Sequence, residues 1–339
     1  MPNTSVFARA SHQAGRTLIE LVIAMAIGLV IVIGVSSLYL SSSGISRTAN
    51  QLSTTEQAGQ LALLVIGDSL KRAAFGEIIG SDYAAQGQTL MDGPHLRGCT
   101  NNQFTNPFPA YVTPPLPQTA PNLGCTVATP LADALYVRYQ AAPVVAQMLP
   151  ASAAGIALRD CTASFGNQNQ ALISQQLRAG AGLERPMVTN VFQRDPVANT
   201  LDCRGYGVAG FMTLLQNVVE FKIFYRFDAA AHAVASSGET NAAPFGGAIL
   251  DATGINALAG VVDPWNYVVA VMVCITLETA EISVSTSTTN TTAPRCPVSA
   301  AEAETGLGLV TTTATGRIRR TFSQVLTVRN RATPSPSIL

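Results

Sequence analysis

Twenty consecutive residues near the start of the chain, Leu21 to Leu40, carry no charged side chain. At about 1.5 Å of rise per residue, a helix of this length spans the roughly 30 Å hydrocarbon core of a bilayer. One carboxylate, Glu20, lies at the start of the run, where an acidic side chain is costly and by default functional. A polar leader with Arg9 precedes it and ends in Gly15. From hydropathy alone, the segment is either a signal peptide or simple anchor, or a helix that is retained after a cleavage.

Residues 15–21, GRTLIEL, resemble the signal of the type IV pilin superfamily. In that family a membrane peptidase cuts after the Gly, the new N-terminus is N-methylated, and a Glu at the fifth mature position directs assembly. The resemblance therefore implies cleavage between Gly15 and Arg16, N-methylation of Arg16, and an assembly role for Glu20. The family usually has Phe at the position of Arg16.

The leader is expected to occupy residues 1–15, and one long helix is expected over residues 16–76, with its membrane-spanning part at 18–40. No proline occurs between Pro2 and Pro94, and a 3/4 spacing of apolar and small residues continues after Leu40, as in an amphipathic helix. Basic residues on the N-terminal side favour a cytoplasmic N-terminus, so the remaining chain is exported.

Six cysteines follow the membrane segment, namely Cys99, Cys125, Cys161, Cys203, Cys274 and Cys296. An even number confined to the exported part predicts disulfides formed in an oxidising periplasm. None lies in a C-x-x-C pair, which disfavours zinc and thioredoxin-like chemistry. On loop-closure grounds, sequence neighbours are expected to pair: 99 with 125, 161 with 203, and 274 with 296.

Residues 77–339 are expected to form one C-terminal domain with long loops. Alternating or continuous apolar patterns predict strands near 135–139, 219–227, 267–277 and 322–329. Residues 77–130 are expected to be a loop, and long insertions are expected at 229–264 and 280–316. The predicted fold class is α+β, a long N-terminal helix packed on an antiparallel β-sheet, which is also the pilin fold.

Enzymatic motifs are weak in this chain. Gly67 to Leu70 spell GDSL, a hydrolase signature, but Ser69 lies in a helical pattern and no matching Asp-x-x-His follows. There is no P-loop, no G-x-G-x-x-G and no H-E-x-x-H. Lys plus Arg equals Asp plus Glu, so no basic field attracts nucleic acid. We therefore expect a protein that is not an enzyme, with no cofactor, no metal and no nucleic-acid partner.

Later blocks resemble PilW-type minor pilins: residues 68–76 at the helix end, 215–218 and Trp265 before strands, and 319–322 with 329–331 at the close. This resemblance implies a minor pilin that primes or caps a type IV pilus. The implied partners are major and minor pilins, the prepilin peptidase, the inner-membrane assembly platform and a tip adhesin of the PilY type. The implied location is the inner membrane of a Gram-negative bacterium and then the pilus surface. The alternatives are a minor pseudopilin of a type II secretion system and an uncleaved bitopic protein with a periplasmic binding or hydrolytic domain.

Overall fold

The computed structural model describes residues 17–73, 95–107, 122–127, 132–140, 160–161, 174–176, 185–205, 210–228, 247–258, 263–279, 291–312 and 317–328. The helices are α1 (Leu18–Arg72), α2 (Ala252–Asn256) and α3 (Ala300–Thr305), and a 3₁₀ turn covers Pro264–Tyr267. The strands are β1 (Leu96–Cys99), β2 (Asn102–Asn106), β3 (Asn122–Val127), β4 (Ala134–Gln140), β5 (Ser174–Gln176), β6 (Arg185–Asp195), β7 (Thr200–Gly205), β8 (Met212–Gln216), β9 (Val218–Asp228), β10 (Gly247–Leu250), β11 (Val268–Glu278), β12 (Thr291–Arg295), β13 (Gly308–Thr312) and β14 (Arg319–Thr327).

The chain divides into two units, residues 1–50 and residues 51–339, and the boundary falls within α1. The described part of the first unit is a single helical segment, the first part of α1. The second unit holds the last turns of α1 and all of the strands. A long N-terminal helix followed by antiparallel sheets is the fold class predicted from the sequence.

The described strands of the second unit form two larger sheets and two hairpins. The six-stranded sheet has the order β1-β4-β6-β7-β8, with β5 paired to β6. The four-stranded sheet has the order β10-β9-β11-β14. The hairpins are β2-β3 and β12-β13, and every pairing is antiparallel. The sequence predicts a single sheet, so the division into two larger sheets is a correction.

The four predicted strands are all present, as β4, β9, β11 and β14. Along β9 the alternate residues Phe221, Ile223, Tyr225 and Phe227 are buried in the main core, as the period-2 pattern requires. The alternation expected from the predicted strand at 219–227 does not hold at its first residue: Val218 is buried instead of Val219, because a register irregularity lies at that end of the β9–β11 pairing. The central strand β11 is buried on both faces, which explains its continuous apolar sequence.

The last turns of α1 contribute a buried stripe to the same core. Each member has another member three or four positions away, as on one face of a helix: Gly59, Ala62, Leu63, Ile66, Gly67, Ser69 and Leu70. Glycines permit close approach, since a Cβ built on Gly59 would lie 2.6 Å from the Phe322 ring. A Cβ on Gly67 would lie 3.3 Å from Leu326. The helix–strand contact with β14 therefore depends on small residues.

Three segments expected to be loops contain regular structure, which corrects those predictions. The hairpin β2-β3 lies within 77–130, and α2 with β10 lies within 229–264. The hairpin β12-β13 and α3 lie within 280–316. These elements are short and rich in Thr, Asn, Ala and Gly, so local propensity gives little signal and tertiary contacts decide their conformation. Gly76, the predicted helix stop, lies outside the described residues.

Candidate functional site: the start of the long helix

Glu20 lies in the first turn of α1. The carbonyl oxygen of Thr17 accepts hydrogen bonds from the backbone N–H groups of Glu20, at 3.0 Å, and Leu21, at 3.3 Å. An acidic side chain in a first turn interacts favourably with the positive end of the helix dipole. The Glu20 side chain is exposed. Gly15 and Arg16, the predicted cleavage and methylation positions, lie outside the described residues.

The first unit presents an apolar surface on every side of α1. The large side chains that are exposed are Leu18, Ile19, Leu21, Val22, Ile23, Met25, Ile27, Leu29, Val30, Ile31, Val32, Ile33, Val35, Leu38, Tyr39 and Leu40, each at least half exposed. Contiguous apolar surface of this kind marks contact with a membrane or with other proteins. By length and composition, α1 is able to cross a membrane.

Two serine hydroxyls in this part of α1 form hydrogen bonds within the helix itself. The Ser37 hydroxyl donates to the Gly34 carbonyl at 2.8 Å, and the Ser43 hydroxyl donates to the Leu40 carbonyl at 2.9 Å. Such back-bonding lets hydroxyls enter an apolar medium without unpaired donors. A Cβ on Gly28 or Gly34 would meet nothing within 4 Å, so these positions offer room for the backbone of another helix.

Three disulfides hold the second unit: Cys99–Cys125, Cys161–Cys203 and Cys274–Cys296. These are the neighbour pairs expected from the sequence. The first joins β1 to β3, the second joins residue 161 to β7, and the third joins β11 to the segment after β12. Disulfides of this kind persist in an oxidising compartment.

The Ser69 hydroxyl has a structural role inside α1. It donates to the Val65 carbonyl at 3.2 Å and accepts from the Asn190 side-chain amide at 3.0 Å. Ser69 is buried and helical, whereas a hydrolytic nucleophile of this type lies on an exposed turn beside a base. Ser69 of the GDSL sequence therefore contributes to the contact between α1 and the sheet.

His95 lies at a buried ionic and aromatic cluster. Arg97 forms an ion pair with Asp263, and its guanidinium lies 5.6 Å from the centre of the Trp265 ring. Burial, together with the positive charge of Arg97, lowers the pKa of His95 to about 4. Among the residues that the structure describes, no group of three His, Cys, Asp or Glu side chains is placed to hold a metal ion. Trp265 lies in the core and is 2% exposed.

A second polar cluster was missed by sequence reasoning. The Lys222 Nζ atom lies 2.6 Å from Asn101 Oδ1 and 3.2 Å from Asp133 Oδ1. Burial raises the pKa of Asp133, although the charge of Lys222 and backbone hydrogen bonds from Asn101 and Ile223 oppose that shift. One signal was available: the chain has eighteen arginines and only two lysines, so a lysine in a strand is itself unusual.

Comparisons with known proteins identify the N-terminal segment. Residues 10–36 match the family described as "Prokaryotic N-terminal methylation motif". No curated protein matches the chain. Among solved structures, a type IV-like pilin from Thermus thermophilus is similar over 85% of this chain and 98% of its own, with 10% identity and a TM-score of 0.33. The chain therefore carries a prokaryotic N-terminal methylation motif, which includes Glu20 and the first part of the exposed apolar helix.

Proposed function

We propose that this protein is a minor pilin that acts in the assembly or initiation of a type IV pilus. The observation that carries the proposal is the methylation motif over residues 10–36, which continues into an apolar helix exposed on every side. In this account the prepilin peptidase cuts after Gly15 and the α-amino group of Arg16 is methylated. The apolar half of α1 then remains on the mature protein.

The apolar helix has two successive environments in this account. It first anchors the subunit in the inner membrane, with the disulfide-bonded unit on the periplasmic side. It then leaves the lipid and packs among the helices of other pilins. Small residues such as Gly28 and Gly34 favour that helix–helix contact. The sequence resemblance supports two further parts of the proposal: that the protein is of the PilW type and that a PilY-type tip adhesin is one of its partners.

Glu20 couples cleavage to assembly in this proposal. In a lone subunit its exposed carboxylate is solvated by water and head groups. In a helix bundle the carboxylate becomes enclosed, and a buried charge without a partner costs several kcal/mol. The α-amino group of Arg16, which only cleavage frees, supplies a cation one helical turn away or from a neighbouring subunit. The Arg16 side chain provides a second cation.

The test compares Glu20→Ala and Glu20→Asp with a matched control, Glu56→Ala, in a strain without the native copy. Glu56 is another exposed carboxylate of α1, beyond the apolar run. Each tagged variant is quantified in sheared pili and in membranes. We expect Glu20→Ala to remain in the membrane, Glu20→Asp to enter pili at a reduced level, and Glu56→Ala to behave as wild type. Full incorporation of Glu20→Ala with normal pilus number would contradict the assembly role.

A further inference from the structure

The environment of Lys222 places three reactive groups together from distant parts of the chain. Lys222 lies on β9, Asn101 lies in the turn between β1 and β2, and Asp133 immediately precedes β4. Lys222 Nζ donates to Asn101 Oδ1 at 2.6 Å. Since a C=O bond is about 1.2 Å long, Nζ lies within about 4 Å of the amide carbon Cγ, close to the distance of a reactive pair.

Asp133 is held rigidly beside this contact. Its side chain is 2% exposed, and its Oδ2 accepts the backbone N–H of Ile223 at 3.1 Å. Its Oδ1 accepts the backbone N–H of Asn101 at 2.9 Å and is 3.2 Å from Lys222 Nζ. A buried, fixed carboxyl group that contacts both the Lys222 amine and the backbone of Asn101 is placed to accept a proton from Nζ beside the side-chain amide.

We propose that Lys222 and Asn101 form an intramolecular isopeptide bond, with Asp133 as the proton carrier. A proton first passes from the Lys222 ammonium to Asp133, which leaves a neutral amine and a neutral acid. The Nζ lone pair then forms a bond to Cγ of Asn101. Asp133 donates that proton to Nδ2, and neutral ammonia departs as the Cγ–Nδ2 bond breaks. The second Nζ proton then passes to Asp133, which ends as the neutral acid. The products are a secondary amide and one ammonia molecule, so no oxidant or cofactor is needed.

The choice of lysine supports a covalent role over an ion pair alone. The chain places arginine at almost every cationic position, and only Lys71 and Lys222 are lysines. Arginine is the better partner for a carboxylate, because its planar guanidinium binds it through two hydrogen bonds. A guanidinium stays protonated, whereas an amine that has lost its proton is a nucleophile. The position therefore uses the one basic residue able to react.

The bond would link parts of the second unit that no disulfide links. Cys99–Cys125 joins the six-stranded sheet to the hairpin β2-β3, and Cys161–Cys203 joins the same sheet to a turn residue. Cys274–Cys296 joins the four-stranded sheet to the segment after β12. Asn101 follows β1 of the six-stranded sheet, and Lys222 belongs to β9 of the four-stranded sheet. A cross-link spanning 121 residues restricts the unfolded chain and resists reducing agents.

The test is mass spectrometry of the full chain extracted from membranes, then reduced and denatured. We expect a mass lower by one ammonia molecule than that calculated for the same processed form. Acetylation should label the Lys71 side chain and leave Lys222 unlabelled. Proteolysis should yield one branched peptide that contains both Asn101 and Lys222. The full calculated mass with both lysines acetylated would overturn the proposal.

Variants separate this bond from other losses of ammonia. Lys222→Arg should have its full calculated mass, whereas a cyclised asparagine would still lack ammonia in that variant and would overturn the assignment. Asp133→Asn should fold and remain uncross-linked, with Trp265 fluorescence as the check on folding. Cross-linking that persists in folded Asp133→Asn would overturn the role of Asp133. Lys71→Arg is the matched control, and its mass should still be lower than calculated by one ammonia molecule.

Discussion

The two halves of α1 have the same backbone conformation and opposite surroundings. Residues 18–50 present large apolar side chains to the outside, and Ile31 is 59% exposed. Residues 51–72 place a stripe of apolar and small side chains in the core of the second unit, and Ile66 is 0% exposed. The difference shows that one helix can serve two purposes when its hydrophobic pattern changes from continuous to periodic.

The difference in burial between the two halves of α1 predicts which substitutions destabilise the second unit. Changes in the buried stripe of residues 51–72 should lower its free energy of unfolding, and the same changes in residues 18–50 should leave it unaltered. A residue from the buried half can therefore be tested against a residue of the same type from the exposed half. Unfolding by urea in detergent is followed by the fluorescence of Trp265, the single tryptophan, which is buried in the second unit.

The largest effect is expected for Ile66→Ala. Removing a fully buried Ile side chain costs about 2–5 kcal/mol, because apolar burial is lost and a cavity remains. The control Ile31→Ala should leave the free energy of unfolding within the error of the measurement. Equal effects of the two variants would show that the burial difference between the halves is incorrect.

A smaller effect is expected for Ser69→Ala. The variant leaves the Asn190 side-chain N–H without its 3.0 Å acceptor, and Asn190 is 1% exposed. An unsatisfied buried donor costs roughly 1–3 kcal/mol. The control Ser37→Ala removes only a hydroxyl that bonds within its own helix, so no change in unfolding is expected. If Ser69→Ala leaves the free energy of unfolding unchanged, the hydrogen bond with Asn190 contributes nothing to stability.

The smallest effect is expected for Gly59→Ala. Alanine favours the helix by about 1 kcal/mol, but its Cβ would meet the Phe322 ring at 2.6 Å, and overpacking costs about 1–3 kcal/mol. The net result should be a loss of roughly 1 kcal/mol. Gly28→Ala meets nothing within 4 Å and should not destabilise the second unit. A gain in stability for Gly59→Ala would contradict the close helix–strand approach.

Sequence patterns predicted α1 and four strands because each has a strong periodicity. The apolar run to Leu40, the 3/4 spacing after it and the alternation along β9 are properties of single segments, which a sequence shows directly. The hairpins β2-β3 and β12-β13 were missed because their strands are short and rich in Thr and Asn. Their strands form through pairing with each other and through nearby disulfides, which local sequence does not reveal.

The same distinction applies to functional residues. The motif with Gly15, Arg16 and Glu20 was recognisable because its residues are adjacent in the chain. The cluster of Asn101, Asp133 and Lys222 joins residues far apart in sequence, and only the fold brings them within hydrogen-bond distance. Its sole trace in the sequence is the scarcity of lysine.

The central claim is that the exposed half of α1 becomes the N-terminus of the mature protein. The most direct measurement is the intact mass of the protein extracted from membranes of cells with and without the prepilin peptidase. With the peptidase, we expect a chain that begins at Arg16 and carries one N-methyl group, and without it a chain that retains residues 1–15. Retention of residues 1–15 in cells with an active peptidase would contradict the claim.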